Sequence, residues 1–290
     1  MKRQSVLAVS SLVAFTLFGS ACERQPESPS SVLSDDGVPI RSEVHGSGEP
    51  ALVFVHGWSC DRSYWDAQVP FFSERHRVVT IDLAGHGESG LGREAWSMKA
   101  FGQDVAAVVE ELGLEEIVLV GHSMGGPVVV EAARILGDRV KVVVGADTFQ
   151  DVSQRWSQEF VEDWLRPFRA DFEGATSDFV RAMFVSSSDS ALVEQVASDM
   201  SAAPPDVAVG AIEAYINWIN NEQETAFREL SVPINLINSE YLPTSVDAGR
   251  DYAVSFDAVL MSGVGHFVMM EDPGTFNRLL SEIVEGLQEN

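Results

Sequence analysis

Cations and cysteines are what this sequence has least of. Its 290 residues include 19 Lys+Arg against 44 Asp+Glu, a formal net charge of -25. A field of that sign repels phosphate backbones, which excludes nucleic acid as a partner and disfavours strongly anionic substrates. The 2 Cys, at positions 22 and 60, are too few for a disulfide-stapled scaffold. The 6 His are nowhere spaced with acids or thiols in the manner of a zinc site, so no metal is expected. Long apolar runs are scarce too: the longest candidate, Val6 to Phe18, falls short of the roughly 20 residues that cross a bilayer as a helix. What is present is ordinary globular composition, 45% hydrophobic and 22% charged, enough to fold around a sizeable core.

The amino terminus reads as an address. Lys2 and Arg3 precede the apolar run, which ends in Gly19, Ser20 and Ala21 before Cys22, so residues 1–21 are expected to be a secretory signal peptide. The stretch resembles a bacterial lipoprotein signal, which implies that Cys22 is lipidated and becomes the first mature residue, anchored to a membrane. Residues 22–37, rich in Pro, Ser and acids, then read as a tether. The expected location is outside the cytoplasm, in the cell envelope. Cys60 is left without a partner and is expected to be a free, buried thiol.

From Val38 onward short β-rich runs alternate with segments of helical period, the pattern of βαβ units around a mostly parallel sheet. Strands are expected at 38–44, 51–57, 77–83, 116–122, 141–147, 233–239 and 257–263. Several are continuous apolar runs, as when both faces of a strand are covered. Helices are expected at Met98 to Leu112, Gly126 to Leu136 and Pro273 to Leu287. The alternation breaks over 149–230, which holds many aromatic residues, Trp156, Trp164 and Tyr215 among them, and no good strand. That stretch reads as a helical cap inserted between core segments 38–148 and 231–290.

Gly121-His122-Ser123-Met124-Gly125 lies directly between the apolar strand EIVLV and the apolar helix PVVVEAARIL. This is a G-x-S-x-G nucleophile elbow in the strand-turn-helix setting it needs. The turn aims a helix amino terminus at the Ser side chain, so the backbone N–H of Met124 is a candidate oxyanion donor. A second donor is expected from Trp58, in the loop His56-Gly57-Trp58 after the strand ALVFV. His56 and His86 read as structural residues of their turns. A serine hydroxyl needs a base within hydrogen-bond reach, and His266, the sole His beyond position 122, follows the last strand.

HGW, DLAGHGES, GHSMGG and GVGHF, in this order and each after an expected strand, resemble the α/β-hydrolase fold family over about residues 38 to 288. The resemblance implies an α/β fold of mostly parallel sheet flanked by helices, a helical cap, and a triad of Ser123, His266 and an acid. The family's usual acid lies in a G-x-x-D after the strand that follows the cap. Here that place reads Ser239-Glu240-Tyr241-Leu242, with Leu where the Asp belongs. Two substitutes exist. Asp147 ends the strand before the cap, where some haloalkane dehalogenases of this fold carry their acid, and Glu240 sits near the usual place. Asp251, Asp257 and Asp272 are weaker candidates.

The activity expected from these residues is hydrolysis of a carboxylic ester through an acyl-enzyme, with no cofactor, on a small and neutral ester-like substrate. Lactone, amide or C–C bond hydrolysis and perhydrolysis use the same machinery and stay open as alternatives. So does a surface-tethered binding protein that keeps the fold without catalysis.

Overall fold

The computed structural model describes residues 27–287. The expected signal peptide and Cys22 lie outside the described residues. Eight strands form one sheet: β1 (Glu27–Leu33), β2 (Pro39–His45), β3 (Ala51–Val55), β4 (Val78–Ile81), β5 (Ile117–His122), β6 (Val140–Ala146), β7 (Ile234–Ser239) and β8 (Phe256–Met261). Their order is β1-β2-β4-β3-β5-β6-β7-β8. The pairs β1/β2 and β2/β4 are antiparallel and the other five are parallel. All seven strands expected from the sequence are present, with ends displaced by up to two residues. β3, β4 and β5 are buried at every position. Continuous Val, Ile and Leu runs of this kind are what a parallel strand covered on both faces requires.

The helices are α1 (Val69–Phe72), α2 (Met98–Glu111), α3 (Gly125–Leu136), α4 (Gln158–Ala170), α5 (Phe172–Ala182), α6 (Ser190–Ser201), α7 (Pro205–Asn221), α8 (Gln223–Glu229), α9 (Val246–Arg250), α10 (Val268–Glu271) and α11 (Pro273–Gly286). Their starts follow local chemistry. Ser97 caps α2 by accepting from the Ala100 N–H, and Asp272 caps α11 by accepting from the Thr275 N–H, with Pro273 in the first turn. α2 and α3 pack on each other, and α11 lies against β7 and β8. Every regular element between β6 and β7 is a helix, α4 to α8, and this segment covers the sheet where β5 and β6 end.

One expectation is corrected. Residues 27–33, assigned to the tether by composition, form β1 and pair with β2 through Val32 opposite Ile40 and Leu33 opposite Pro39. The run ESPSSVL has apolar residues only at its end, so hydrophobic patterning does not announce it. β1 is the terminal strand of the sheet, and an edge position tolerates both its polar composition and Pro29.

Candidate active site

The turn after β5 puts Ser123 at φ +52, a left-handed backbone that few non-glycine residues adopt. Its N–H donates to the Ala146 carbonyl at 3.1 Å, and the Thr148 hydroxyl donates to its carbonyl at 3.0 Å, so neighbouring strand ends hold the turn. Glycine is obligatory on both sides. A Cβ at Gly121 would lie 2.3 Å from the Gly125 carbonyl oxygen, and one at Gly125 would lie 2.6 Å from that of Val55. The motif is therefore a packing requirement: β5, α3 and the end of β3 approach closely enough that only backbone fits between them.

His266, after β8, and Asp147, after β6, come together. His266 Nδ1 is 2.6 Å from Asp147 Oδ2. The other Asp147 oxygen, Oδ1, accepts from the Ser239 N–H at 2.7 Å and the Ser239 hydroxyl at 2.9 Å. Asp147 is buried and also left-handed, at φ +45. Glu240 is exposed, and its backbone N–H is held by the Met261 carbonyl at 2.9 Å. Among the described residues Asp147 is the carboxylate that meets His266. Asp257 pairs with Arg250, Asp272 caps α11, and Asp251 lies at the end of α9, so none of these approaches the imidazole.

Two further residues fix where His266 sits. His122, beside Ser123, has its ring centroid 4.7 Å from that of His266, and its Nε2 is 3.0 Å from the His266 carbonyl oxygen. Burial, reinforced by the nearby His266, drives the His122 pKa well below the ordinary value. The ring is thus neutral, and Nε2–H donates to that carbonyl. Glu271 Oε1 accepts from the N–H groups of Gly265 and Phe267 at 2.9 and 3.2 Å, bracketing His266, while Oε2 takes the Ser188 hydroxyl at 2.5 Å. Sequence reasoning missed both roles of Glu271, because an acid five residues after a His carries no signature of its own.

Neither the Trp58 nor the Met124 backbone N–H donates to an acceptor among the described residues, and both residues line the same cavity as Ser123. The Trp58 indole is committed elsewhere: Nε1 donates to the Ala208 carbonyl on α7 at 2.7 Å, and its ring meets Phe168, Phe172 and Phe179 edge-on. His56 Nε2 accepts from the Leu83 N–H at 3.0 Å, which leaves Nδ1–H to donate to the Gly57 carbonyl at 2.8 Å. Burial lowers the His56 pKa to about 4 and that of His86 to about 3. Both are structural, as their turns suggested.

Above Ser123 lies a cavity of about 450 Å³, walled by Ser123, His266 and Trp58 from the sheet side and by Trp164, Phe179 and Tyr215 from the helical segment. No Lys or Arg lines it, and among the described residues no cluster of acids, His and Cys could hold a metal. Cys60 lines it as a buried free thiol.

The sequence model of the Alpha/beta hydrolase family matches residues 52–279. The chain belongs to that family. This α/β-hydrolase is 44% identical over 97 residues to the bifunctional esterase/perhydrolase DCH of Acinetobacter calcoaceticus, covering 33% of the chain and 35% of the relative. It is 42% identical over 96 residues to a non-heme haloperoxidase of Rhodococcus erythropolis, covering 33% and 35%. The chain therefore matches about a third of the length of each of these curated relatives. Among solved structures, a thermophilic esterase from Thermogutta terrifontis superposes with a TM-score of 0.78 at 23% identity, covering 90% of this chain and 99% of that one. At that identity the likeness speaks for the fold.

Proposed function

We propose that this α/β-hydrolase cleaves a small, neutral carboxylic ester through an acyl-enzyme on Ser123. The observation that carries the reading is the His266 Nδ1 to Asp147 Oδ2 contact of 2.6 Å beside the left-handed Ser123 turn. With Nδ1–H committed to Asp147, Nε2 is the ring nitrogen left to take the Ser123 proton. Attack by Ser123 Oγ on the ester carbonyl produces a tetrahedral oxyanion, which the uncommitted N–H groups of Trp58 and Met124 receive. His266 returns the proton to the departing alkoxide, and water, activated by the same ring, releases the acid and restores Ser123.

A cavity lined by aromatic and aliphatic side chains without a cation favours uncharged substrates over anionic ones. The esterase/perhydrolase relative supports a second outcome at the same acyl-enzyme, in which hydrogen peroxide replaces water as the resolving nucleophile. Hydrolysis of p-nitrophenyl acetate, abolished by Ser123→Ala, is the test of the reading. An inactive wild-type protein would instead favour a binding role. Export and lipidation at Cys22 belong to the same proposal, resting on Lys2, Arg3, the run Val6 to Phe18 and the small residues before Cys22. The mass of the mature amino terminus tests it.

A further inference from the structure

Tyr215 stands in the cavity with an unused hydroxyl. It projects from α7 among the lining residues and is half-buried, and its Oη makes no hydrogen bond with any described residue. Tyr241, which also lines the cavity, differs: its hydroxyl is spent on the Ala182 carbonyl at 2.6 Å. A phenol held in a largely apolar cavity without a protein partner relies on water when the site is empty and on the ligand when it is filled. Burial, together with the Asp147 charge, raises the Tyr215 pKa to about 12, so the group stays protonated and acts as a donor.

The helix that carries Tyr215 is anchored on either side of it to the two elements that build the reaction centre. The Trp58 indole, in the loop expected to hold the oxyanion, binds the Ala208 carbonyl of α7 at 2.7 Å. The Trp218 indole of α7 binds Glu131 Oε1 on α3, the elbow helix, at 2.7 Å. Ala208 lies two helical turns before Tyr215 and on the same face, which also presents Ile212 and Ile219 to the cavity. A hydroxyl mounted this way keeps its place relative to Ser123 instead of drifting with a mobile lid.

We propose that Tyr215 determines specificity, its hydroxyl donating a hydrogen bond to an oxygen of the bound ester outside the ester group itself. The site therefore prefers neutral acyl or alcohol groups that bear an ether, hydroxyl or carbonyl oxygen over plain hydrocarbon chains of equal length. This rests on the ester-hydrolase reading.

The test uses Tyr215→Phe, which removes one oxygen atom and keeps the ring. Pairs of esters equal in length are compared, one member carrying an ether oxygen and the other a methylene, with the replacement made once in the acyl chain and once in the alcohol. The wild-type protein is expected to favour the oxygen-bearing member of at least one pair. Tyr215→Phe should lower its kcat/KM about tenfold while leaving the hydrocarbon partner within about twofold. The same pairs bound to Ser123→Ala and to the Ser123→Ala, Tyr215→Phe double variant, followed by calorimetry, give the preference without turnover. Loss of turnover in the wild-type protein would then count against the ester reading alone. Equal binding of both members of every pair by Ser123→Ala, or an unchanged preference in the double variant, would overturn the role of Tyr215.

Discussion

The two walls of the cavity hold their residues by different means. On the sheet side, Ser123 and Asp147 sit at strand ends in left-handed turns and are fixed by backbone: the Ser123 N–H on the Ala146 carbonyl and the Asp147 N–H on that of Ile237. On the helical side, most ties are side chains that reach across, Trp58 to Ala208, Trp218 to Glu131 and Tyr241 to Ala182, beside two backbone bonds, the His266 N–H on the Met183 carbonyl at 2.9 Å and the Ser245 N–H on that of Gln150 at 2.7 Å. Backbone strain and ladder hydrogen bonds make the first wall rigid and intolerant of change. Side-chain anchors make the second replaceable one residue at a time. On the ester-hydrolase proposal, the sheet wall carries the bond-breaking step and the helical wall the choice of substrate.

The contrast is sharpest for the largest expected effects. Ser123→Ala should remove esterase turnover by about 10⁴-fold or more, and Asp147→Asn should cost about 10³- to 10⁴-fold with the fold retained, measured as kcat by pH-stat. Glu240→Gln should stay within about twofold of wild type. A loss below about tenfold for Asp147→Asn would move the acid elsewhere and dissolve the division between the walls.

How far this division could be read in advance depends on what each wall is made of. The parallel strands were legible because two-sided burial forces runs such as ALVFV and IVLVGH, and the elbow because only glycine fits at 121 and 125. Asp147 and Glu240 were both legible as acids near strand ends. What separates them is tertiary: two hydrogen bonds from Ser239, ninety-two residues away, and the His266 ring. Tyr215 was legible only as one aromatic residue of the cap, while the roles of Glu271 and of the indole N–H groups left no trace in the sequence, since their partners lie on other elements and no local period marks them. β1 escaped because an edge strand needs little apolar residue.

Smaller effects sharpen the same contrast on the helical side. Trp58→Phe keeps an aromatic ring, smaller than the indole, and the backbone N–H, but loses the indole N–H and its bond to Ala208. It should raise KM severalfold while changing kcat less, and an equal fall in kcat would mean that the anchor serves the chemistry as well. Trp218→Phe deprives the buried Glu131 carboxylate of a donor. It should lower unfolding stability by about 1–3 kcal/mol in urea titrations, with turnover largely kept.

The last effect appears only in acid and leaves stability at neutral pH unchanged. His56 and His86 are buried and neutral, with pKa lowered to about 4 and about 3, whereas the unfolded chain takes up those protons near the ordinary histidine value of about 6.5. Their contribution to stability is therefore complete above about pH 6.5 and is lost as pH falls through 4 towards 3. His86→Gln should flatten the dependence of the urea midpoint on pH in that interval, and an unchanged slope would exclude His86 as a source.

The central claim is that Ser123 is an activated nucleophile, and covalent capture tests it most directly. Incubation of the protein with a fluorophosphonate, followed by peptide mass spectrometry, should place one phosphonyl adduct on Ser123, with labelling lost in Ser123→Ala and slowed strongly in Asp147→Asn. An unlabelled Ser123 in folded protein, or labelling at the same rate without the Asp147 carboxylate, would contradict the account.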